Sequence, residues 1–307
     1  MKQNVLNALL GGALLLSAPL FTSCQDILGE WDRPTPASGG SGGSASKGIE
    51  YVAYSVSGTT ATPSTETVTD YTDITGAITE LTADKPYVVK SDVTITGNIT
   101  LSGNAKIILC DGATLTINGH INDTYDGLYK LNNSLAIFGQ STGTGKIVVK
   151  TTADDDYPIT AKDITIHGGL VEVTATGAST EAIFTQNDLV IYNGTVTANA
   201  TMVTVMANHA MYIYGGSITA IGGSTSAISY DTGGTGSIYY YGGNVIAIAS
   251  GTGTGFGGAF TNSSSAAVQY DSSTNGTSWT VGANVSTGST GTPTTLGVRL
   301  PGTCPPV

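Results

Sequence analysis

Three stretches between residues 159 and 220 repeat one pattern, in which two runs of alternating apolar and polar residues are joined by a glycine step. The stretches are 162–173, 187–198 and 210–220, and their steps lie at Gly169, Gly194 and Gly216. Alternation places successive side chains on opposite faces, so each run predicts a strand with one face in a core. The step recurs after 25 and then 22 residues, a period typical of a solenoid whose repeats are single coils.

The pattern extends in both directions, and its apolar positions align into two columns. One column comprises Ile95, Ile117, Ile137, Ile166, Ile191 and Ile213, and the other comprises Ile99, Ile121, Ile147, Val171, Val196, Ile218 and Val245. A third, weaker run precedes each unit, at 157–159, 182–184, 203–205 and 227–229. Three short strands per coil predict an all-β fold, a right-handed, three-sided parallel β-helix of about seven or eight coils, because no single coil could bury its own inner face.

Less regular sequence flanks the coils, which we expect over 93–250. Residues 48–92 predict an N-terminal cap, in which an alternating run is interrupted at Pro63. Residues 251–307 are dominated by Gly, Ser and Thr and predict a last coil and a C-terminal cap. Because the end coils of a solenoid must cover its core, atypical ends are expected. We therefore predict one domain over 48–307.

Residues 1–23 have the features of an export signal. Lys2 precedes an apolar run over 9–20, which is too short for a membrane-spanning helix and ends shortly before Cys24. The segment resembles a bacterial lipoprotein signal peptide, which implies lipidation of Cys24; an ordinary secretory signal is the alternative. Residues 24–47 end in a Gly-, Ser- and Ala-rich tract and predict a flexible linker. We expect a cell-envelope protein, anchored by lipid to the outer membrane and facing the surface or the periplasm.

The charge of the chain limits its binding partners, and its cysteines raise the question of a disulfide. The net charge of −11 disfavours nucleic acid and anionic membrane surfaces, so membrane contact is expected only through the lipid. No Lys or Arg occurs between Asp163 and Val298, so direct ion pairs could not hold a polyanion there. Cys110 lies in an apolar run and is predicted to be a small buried hydrophobe. A bridge to Cys304 is the alternative, which an extracytoplasmic setting allows.

An aromatic column accompanies the glycine steps. The residues just before the steps are Phe138, His167, Tyr192, Tyr214 and Tyr241, and Tyr212 and Tyr239 lie two residues earlier. Because the preceding residue points inward, we expect the column to point outward. Exposed tyrosines suit stacking against sugar rings, so the predicted ligand-binding residues are Tyr192, Tyr212, Tyr214, Tyr239, Tyr241 and His167. The alternative is a structural ladder, in which aromatic neighbours stack on one another.

Acidic residues cluster in the segment before one coil. Asp154, Asp155 and Asp156 are the weak candidates for a metal site, since Ca²⁺ prefers carboxylate and carbonyl oxygens. A solvated acidic loop is the alternative. Other acidic residues are also expected in loops, namely Asp123, Asp126, Glu181, Asp231 and Asp271.

The lines at 161–175 and 211–220 resemble the coils of calcium-dependent carbohydrate-binding β-helix proteins of bacteria. The resemblance covers roughly 90–250 and depends on the strand–Gly-Gly–strand cadence. That family is similar to pectate lyases but binds acidic plant polysaccharides without cleaving them. The resemblance implies a β-helix that binds an acidic, pectin-like polysaccharide through Ca²⁺.

We therefore predict non-catalytic polysaccharide binding along an aromatic face, and keep two alternatives. The first is a structural, adhesin-like surface solenoid whose tyrosine face meets protein. The second is an enzyme. A lyase needs an Arg or Lys base beside Ca²⁺-held carboxylates, and 163–298 contains neither basic residue. A hydrolase needs two carboxyl groups about 5–9.5 Å apart, which Asp154 and Asp156 could supply only by chance.

Overall fold

The computed structural model describes residues 48–301 except 124–129, 155, 231–235, 266, 276–279, 287–288 and 292–296. The described residues form strands and turns, and no helix occurs among them. The predicted all-β class is confirmed.

The strands comprise one hairpin and three sheets. The hairpin consists of β1 (Ile49–Ser57) and β2 (Thr60–Val68). The first sheet contains β4 (Glu80–Leu81), β7 (Ile99–Leu101), β10 (Ile121–Asp123), β13 (Ile159–Ala161), β16 (Glu181–Thr185), β19 (Val203–Ala207), β22 (Ser226–Tyr230) and β25 (Thr254–Phe256). The second contains β3 (Thr72–Asp73), β5 (Tyr87–Val89), β8 (Ala105–Leu109), β11 (Leu135–Gly139), β14 (Ile164–Ile166), β17 (Asp188–Ile191), β20 (Ala210–Ile213), β23 (Ser237–Tyr240), β26 (Phe260–Asn262) and β29 (Thr290–Gly291). The third contains β6 (Val93–Thr96), β9 (Thr114–Asn118), β12 (Lys146–Thr151), β15 (Leu170–Ala175), β18 (Thr195–Ala200), β21 (Ser217–Gly222), β24 (Asn244–Ile248), β27 (Val268–Ser273), β28 (Thr280–Val285) and β30 (Gly297–Leu300).

The chain passes through the first, second and third sheets in turn, and each strand pairs in parallel with its counterparts one coil before and after. Seven complete coils run through the described chain, from β4–β6 to β22–β24. At the C-terminal end β30 pairs antiparallel with β24, and β27 pairs antiparallel with β30. The predicted three-sided parallel β-helix is confirmed, and the weaker third run of each unit corresponds to β13, β16, β19 and β22.

The two predicted apolar columns are right in the central coils. On the second sheet Ile137, Ile166, Ile191 and Ile213 follow one another in register. On the third sheet the register runs through Ile147, Val171, Val196, Ile218 and Val245. All of these side chains are at most 1% exposed, so the stacked coils form the core together.

The same columns are wrong in the first coils. Ile95 and Ile117 lie on the third sheet, in register with Val149, and not on the second sheet with Ile137. Ile99 and Ile121 lie on the first sheet, not on the third. The columns were misaligned because an apolar run followed by glycine occurs at two different corners of the coil, one after the second-sheet strand and one after the third-sheet strand. Gly97 and Gly119 follow third-sheet strands, whereas the glycine pairs of the central coils follow second-sheet strands.

The glycine step is a corner that requires glycine. Gly169, Gly194, Gly216 and Gly243 all have a positive φ, between 75° and 95°. A Cβ on Gly194 would lie 2.6 Å from the Gly169 carbonyl oxygen, and one on Gly216 would lie 2.5 Å from that of Gly194. The corner backbone of one coil therefore packs directly on that of the previous coil, with no room for a side chain.

Two local predictions are corrected. Strand β2 continues through Pro63, which pairs with Tyr54. Among the described strands β2 pairs only with β1, and proline is tolerated in such an edge strand. Cys110 is fully buried as expected, but it is disulfide-bonded, so its interpretation as an unpaired hydrophobe is wrong. The other half of that bond lies outside the described residues.

Candidate functional site: an aromatic row beneath the N-terminal hairpin

One aromatic residue per coil follows the last inward residue of the second-sheet strand. We call these five residues the aromatic row: Phe138, His167, Tyr192, Tyr214 and Tyr241. The row is regular because the backbone ladder continues one residue past the strands. The N–H groups of Tyr192, Tyr214 and Tyr241 donate to the carbonyls of Ile166, Ile191 and Ile213, at 2.8–2.9 Å.

The rings of the aromatic row stack on one another. Centroid separations are 4.3 Å for Phe138–His167, 4.9 Å for His167–Tyr192, 5.3 Å for Tyr192–Tyr214 and 4.4 Å for Tyr214–Tyr241. Such pairs contribute about 0.5–1.5 kcal/mol each beyond area burial. A shorter row lies beside it, where Tyr212 and Tyr239 stack at 5.1 Å. The ring faces are thus largely covered by neighbouring rings, and a ligand would meet edges and hydroxyl groups.

The hairpin covers the N-terminal half of the aromatic row. The sequence pattern does not predict this contact. Tyr51 packs edge-on against Phe138 at 5.0 Å, and Tyr54 stacks on Tyr192 at 5.8 Å. Phe138 and His167 are consequently buried, at 6% and 9% exposure. Tyr192, Tyr214 and Tyr241 remain half-buried.

Hydrogen bonds hold the hairpin in place. The Tyr54 N–H donates to Nδ1 of His167 at 2.9 Å. The side-chain amide of Asn193 donates to the Tyr54 hydroxyl at 3.0 Å, and that of Gln140 donates to the Glu50 carbonyl at 2.8 Å. His167, predicted as a ligand-binding residue, therefore lies under the hairpin and binds it.

His167, Tyr192 and Tyr214 of the aromatic row are neutral at physiological pH. Burial, followed by the nearby charge of Lys106, lowers the pKa of His167 to about 4, so its Nδ1 is free to accept the bond from Tyr54. Burial, followed by the neighbouring tyrosines, raises the pKa of Tyr214 to about 12. Burial also raises the pKa of Tyr192. The phenols therefore act as uncharged hydrogen-bonding groups.

Two open clefts lie where the hairpin meets the coils. The first, which we call the tyrosine cleft, has a volume of about 350 Å³ and is lined by Tyr54, Thr59, Thr60, Ala61, Tyr192, Asn193, Tyr214, Gly215, Gly216, Tyr241, Ser264 and Ser265. The second, the amide cleft, has a volume of about 390 Å³, and its polar lining includes Gln140, Thr142, Asn193, Thr195, Ser217 and Asn244. Among the described residues, no Asp, Glu, Lys or Arg lines either cleft. Of the predicted ligand-binding residues, Tyr192, Tyr214 and Tyr241 meet in the tyrosine cleft, while Tyr212 and Tyr239 lie outside it.

The acidic candidates have protein partners. Asp154 accepts a hydrogen bond of 2.7 Å from the Ala178 N–H. Asp156 accepts from the Thr151 hydroxyl at 2.8 Å and pairs with His120 at 3.0 Å. Asp155 lies outside the described residues. In the described part of the chain, no group of three or more His, Cys, Asp or Glu residues could hold a metal ion.

Three other carboxylates do not lie in solvated loops as expected. Asp123 is buried and accepts hydrogen bonds from the N–H groups of Asn132 and Asn133, at 2.6 and 2.7 Å. Asp271 is buried in β27 and pairs with Arg299. Glu181 is the first residue of β16 and is buried on the first sheet. The apolar–polar alternation does not predict the burial of these carboxylates, because each acidic residue lies beside glycine- or polar-rich sequence typical of a turn. Asp126 and Asp231 lie outside the described residues.

A scan against protein-family models and searches of curated proteins and of solved structures found no match to this chain. In the described part of the chain, no helix is long and apolar enough to cross a membrane. Cys24 and the rest of the predicted signal and linker lie outside the described residues.

Proposed function

We propose that this protein binds a neutral polysaccharide, without turnover, in the tyrosine cleft. The observation that carries the proposal is the lining of that cleft. Four tyrosines converge there with Asn, Ser and Thr side chains, and none of the described lining residues is charged. Sugar rings present apolar C–H faces and a rim of hydroxyl groups, which aromatic edges, phenol hydroxyls and amides can match.

The shape of the cleft favours a chain segment over a small isolated molecule. The cleft runs from the hairpin tip, at Thr59 and Thr60, across three coils to Ser264 and Ser265. Successive coils are about 4.8 Å apart, which is close to the length of one sugar ring. Since each contact is weak, a polymer that engages several sites would gain affinity by multivalency.

The charge of the site favours a neutral glycan over an acidic one. In the part of the chain that the structure describes, no cationic side chain lines either cleft, and the net charge of −11 repels polyanions. A Ca²⁺ bridge to a pectin-like chain would need protein carboxylates at the site, and neither lining supplies one. Asp154 and Asp156 remain the candidates for Ca²⁺ binding elsewhere, as a separate hypothesis.

The same lining favours binding over cleavage at this site. Glycoside hydrolysis generally uses two carboxyl groups flanking the scissile bond, and the residues of the tyrosine cleft offer none. With the export signal and Cys24, the proposal describes a lipid-anchored protein of the cell envelope that holds glycan chains. The alternative, an adhesin-like solenoid, is favoured by the stacking of the aromatic row, which explains the tyrosines without any ligand.

Affinity electrophoresis tests the proposal. The protein would be run through gels containing neutral glycans, such as xyloglucan and mannan, and through gels containing pectin with and without a chelator. We expect retardation by a neutral glycan that a chelator leaves unchanged. Tyr214→Ala and Tyr241→Ala should each weaken it about fivefold, the equivalent of about 1 kcal/mol.

Tyr239→Ala is the matched control, because Tyr239 also stacks on a neighbouring tyrosine but does not line the cleft. Reducing-end release from the retained glycan should stay at background. If no glycan retards the protein, or if Tyr214→Ala and Tyr241→Ala bind like the parent, the aromatic row is a structural ladder and the adhesin-like role is favoured. Thermal unfolding of every variant separates lost binding from lost folding.

A further inference from the structure

A third cavity lies on the first sheet, and it shares no residue with the tyrosine and amide clefts. We call it the Glu181 groove. Its volume is about 450 Å³, within the range of small-ligand sites, and it is lined by Glu181, Met202, Val203, Met206, Thr225, Ser226, Ser229, Tyr230, Thr254 and Gly257.

The groove arises from a break in the alternation of the first-sheet strands. In β16 the consecutive residues Ala182 and Ile183 are both buried, at 0% and 1% exposure. The ladder pairs Glu181 with Val203 and Ile183 with Val205, and skips the position between them. The same break recurs in β19 and β22. The groove is lined by residues on both sides of this break, with Glu181, Val203 and Ser226 on one side and Met206 and Ser229 on the other.

A buried carboxyl group lies in the lining of this groove without a full set of partners. Glu181 is 5% exposed, and its Oε2 is buried with no hydrogen-bond partner. Val203 separates it from Ser226 along the register column. Ser226 is 0% exposed, and its Oγ is also buried without a partner. Unsatisfied buried polar atoms cost free energy, so the unpartnered carboxyl oxygen of Glu181 favours a ligand that carries hydrogen-bond donors.

Among the described residues, no ion pair includes Glu181. No Lys or Arg occurs between Asp163 and Val298, a range that contains β16, β19, β22 and β25. Burial alone raises the pKa of Glu181 to about 7. Among the described titratable groups around β16, Tyr230 lines the groove, Tyr157 contacts Phe184 of β16, and Asp154 bonds the Ala178 N–H just before β16. None of them is cationic.

The remaining lining suits an organic cation better than a bare metal ion. Met202 and Met206 are flexible and polarizable, and the ring of Tyr230 can attract a cation by its π-face. A divalent metal would need several oxygen ligands, whereas this groove holds one carboxylate. The net charge of −11 also attracts cations to the surface.

We propose that the Glu181 groove binds a primary ammonium group on a short alkyl chain. The ammonium donates to Glu181, and the alkyl chain lies against the methionines and Tyr230. The ammonium neutralises the buried carboxylate, so binding favours the ionised form of Glu181. This site is independent of the polysaccharide site proposed above, and neither depends on the other.

Binding of the ammonium depends on the protonation of Glu181, and affinity should rise with pH. The ammonium binds the carboxylate form, which dominates above pH 7 and is lost below it. Affinity should therefore be constant from about pH 8 to about pH 9.5, above which the alkylammonium loses its own proton, and should fall about tenfold per pH unit well below the pKa of Glu181. The ligand should in turn lower the pKa of Glu181.

Isothermal titration calorimetry with n-butylammonium and its neutral counterpart n-butanol tests the site. We expect n-butylammonium to bind at least tenfold more tightly than n-butanol at pH 8. Glu181→Gln should lose that difference, while Glu172→Gln should keep it. Glu172 is the matched control because it lies on β15 of the third sheet and pairs with Lys146.

Carboxyl ¹³C NMR supplies a second readout that does not depend on affinity, since n-butylammonium should move the Glu181 titration to lower pH. N-acetyl-lysine amide and glucosamine, as further probes, show whether the ammonium comes from a peptide or from an amino sugar. Equal binding of n-butanol, unchanged n-butylammonium binding in folded Glu181→Gln, or no binding of any ammonium to the parent protein overturns the proposal.

Discussion

The backbone N–H of Tyr54 donates a hydrogen bond of 2.9 Å to Nδ1 of His167, across 113 residues of sequence. This bond joins the N-terminal hairpin to the corner of a central coil. It needs a neutral His167, and burial together with Lys106 keeps the pKa of that imidazole at about 4. The hairpin is therefore held by a group whose protonation would remove the acceptor.

Stability should accordingly fall as the pH drops from about 6.5 to about 4. The unfolded imidazole takes up a proton near its ordinary pKa, whereas the folded one resists it. The difference of about 2.5 pKa units corresponds to about 3 kcal/mol. His167→Gln should remove this part of the slope, measured as the free energy of unfolding in urea at several pH values. His209→Gln is the control, because His209 is exposed; equal slopes in the parent and in His167→Gln would contradict the assignment.

Ile191→Asp should unfold the coil. Ile191 is 0% exposed in the second-sheet column, and an unpaired buried charge costs several kcal/mol. Thr197→Asp places the same side chain at an exposed position of β18, in the same coil, and should be tolerated. Circular dichroism melting compares the two, and a parent-like melt for Ile191→Asp would show that the column does not face the core.

Gly194→Ala should destabilise more than Gly143→Ala. Both glycines have a positive φ, at 95° and 65°, which costs a residue with a Cβ about 1–2 kcal/mol. Only at Gly194 would the new Cβ also meet backbone, 2.6 Å from the Gly169 carbonyl oxygen, whereas nothing lies within 4 Å at Gly143. Denaturant midpoints measure the difference, and equal losses would mean that the corners are not in contact.

Arg299→Met should destabilise the C-terminal end by about 3–5 kcal/mol, because it leaves the Asp271 carboxylate buried without its ion-pair partner. The two side chains are 10% and 2% exposed. The double variant Asp271→Leu with Arg299→Met should recover much of the loss, since two apolar groups need no counter-charge. A double variant as unstable as the single one would argue against the pair as the cause. Thermal unfolding provides the comparison.

Cys24→Ala should release the protein from the membrane fraction, because the predicted lipid would then have no attachment site. Each buried methylene of such a lipid contributes about 0.8 kcal/mol of membrane affinity. Fractionation of cells, followed by immunoblotting, measures the distribution. Continued membrane association of the variant would reject lipid anchoring at Cys24.

The regular part of the fold could be predicted from the sequence because its signals are local. Alternation assigns an inner and an outer face within a single strand, as at Leu189 and Ile191. The positive φ of Gly194 and Gly216 explains why the strands are separated by glycine. The apolar columns of the central coils follow, since similar units stack in register.

The alignment of the first coils and the burial of Glu181 required the tertiary structure. Ile95 and Ile137 have the same local pattern, and only the neighbouring coils decide which sheet each one joins. Glu181 lies in sequence typical of a turn, but its side chain is buried beside the break in the first-sheet strands. Local sequence carries no information on either point, because both depend on residues of adjacent coils.

The candidate site also has a part that the sequence predicts and a part that only the tertiary structure decides. The sequence by itself determined that one aromatic residue recurs before each glycine corner, because that recurrence is periodic. Only the tertiary structure decided that the hairpin buries Phe138 and His167 and leaves a cleft at Tyr192, Tyr214 and Tyr241. The contact between Tyr54 and His167 joins an antiparallel hairpin to a parallel coil. No repeat links those two segments, so their docking depends on side-chain packing and hydrogen bonds that form only in the folded chain.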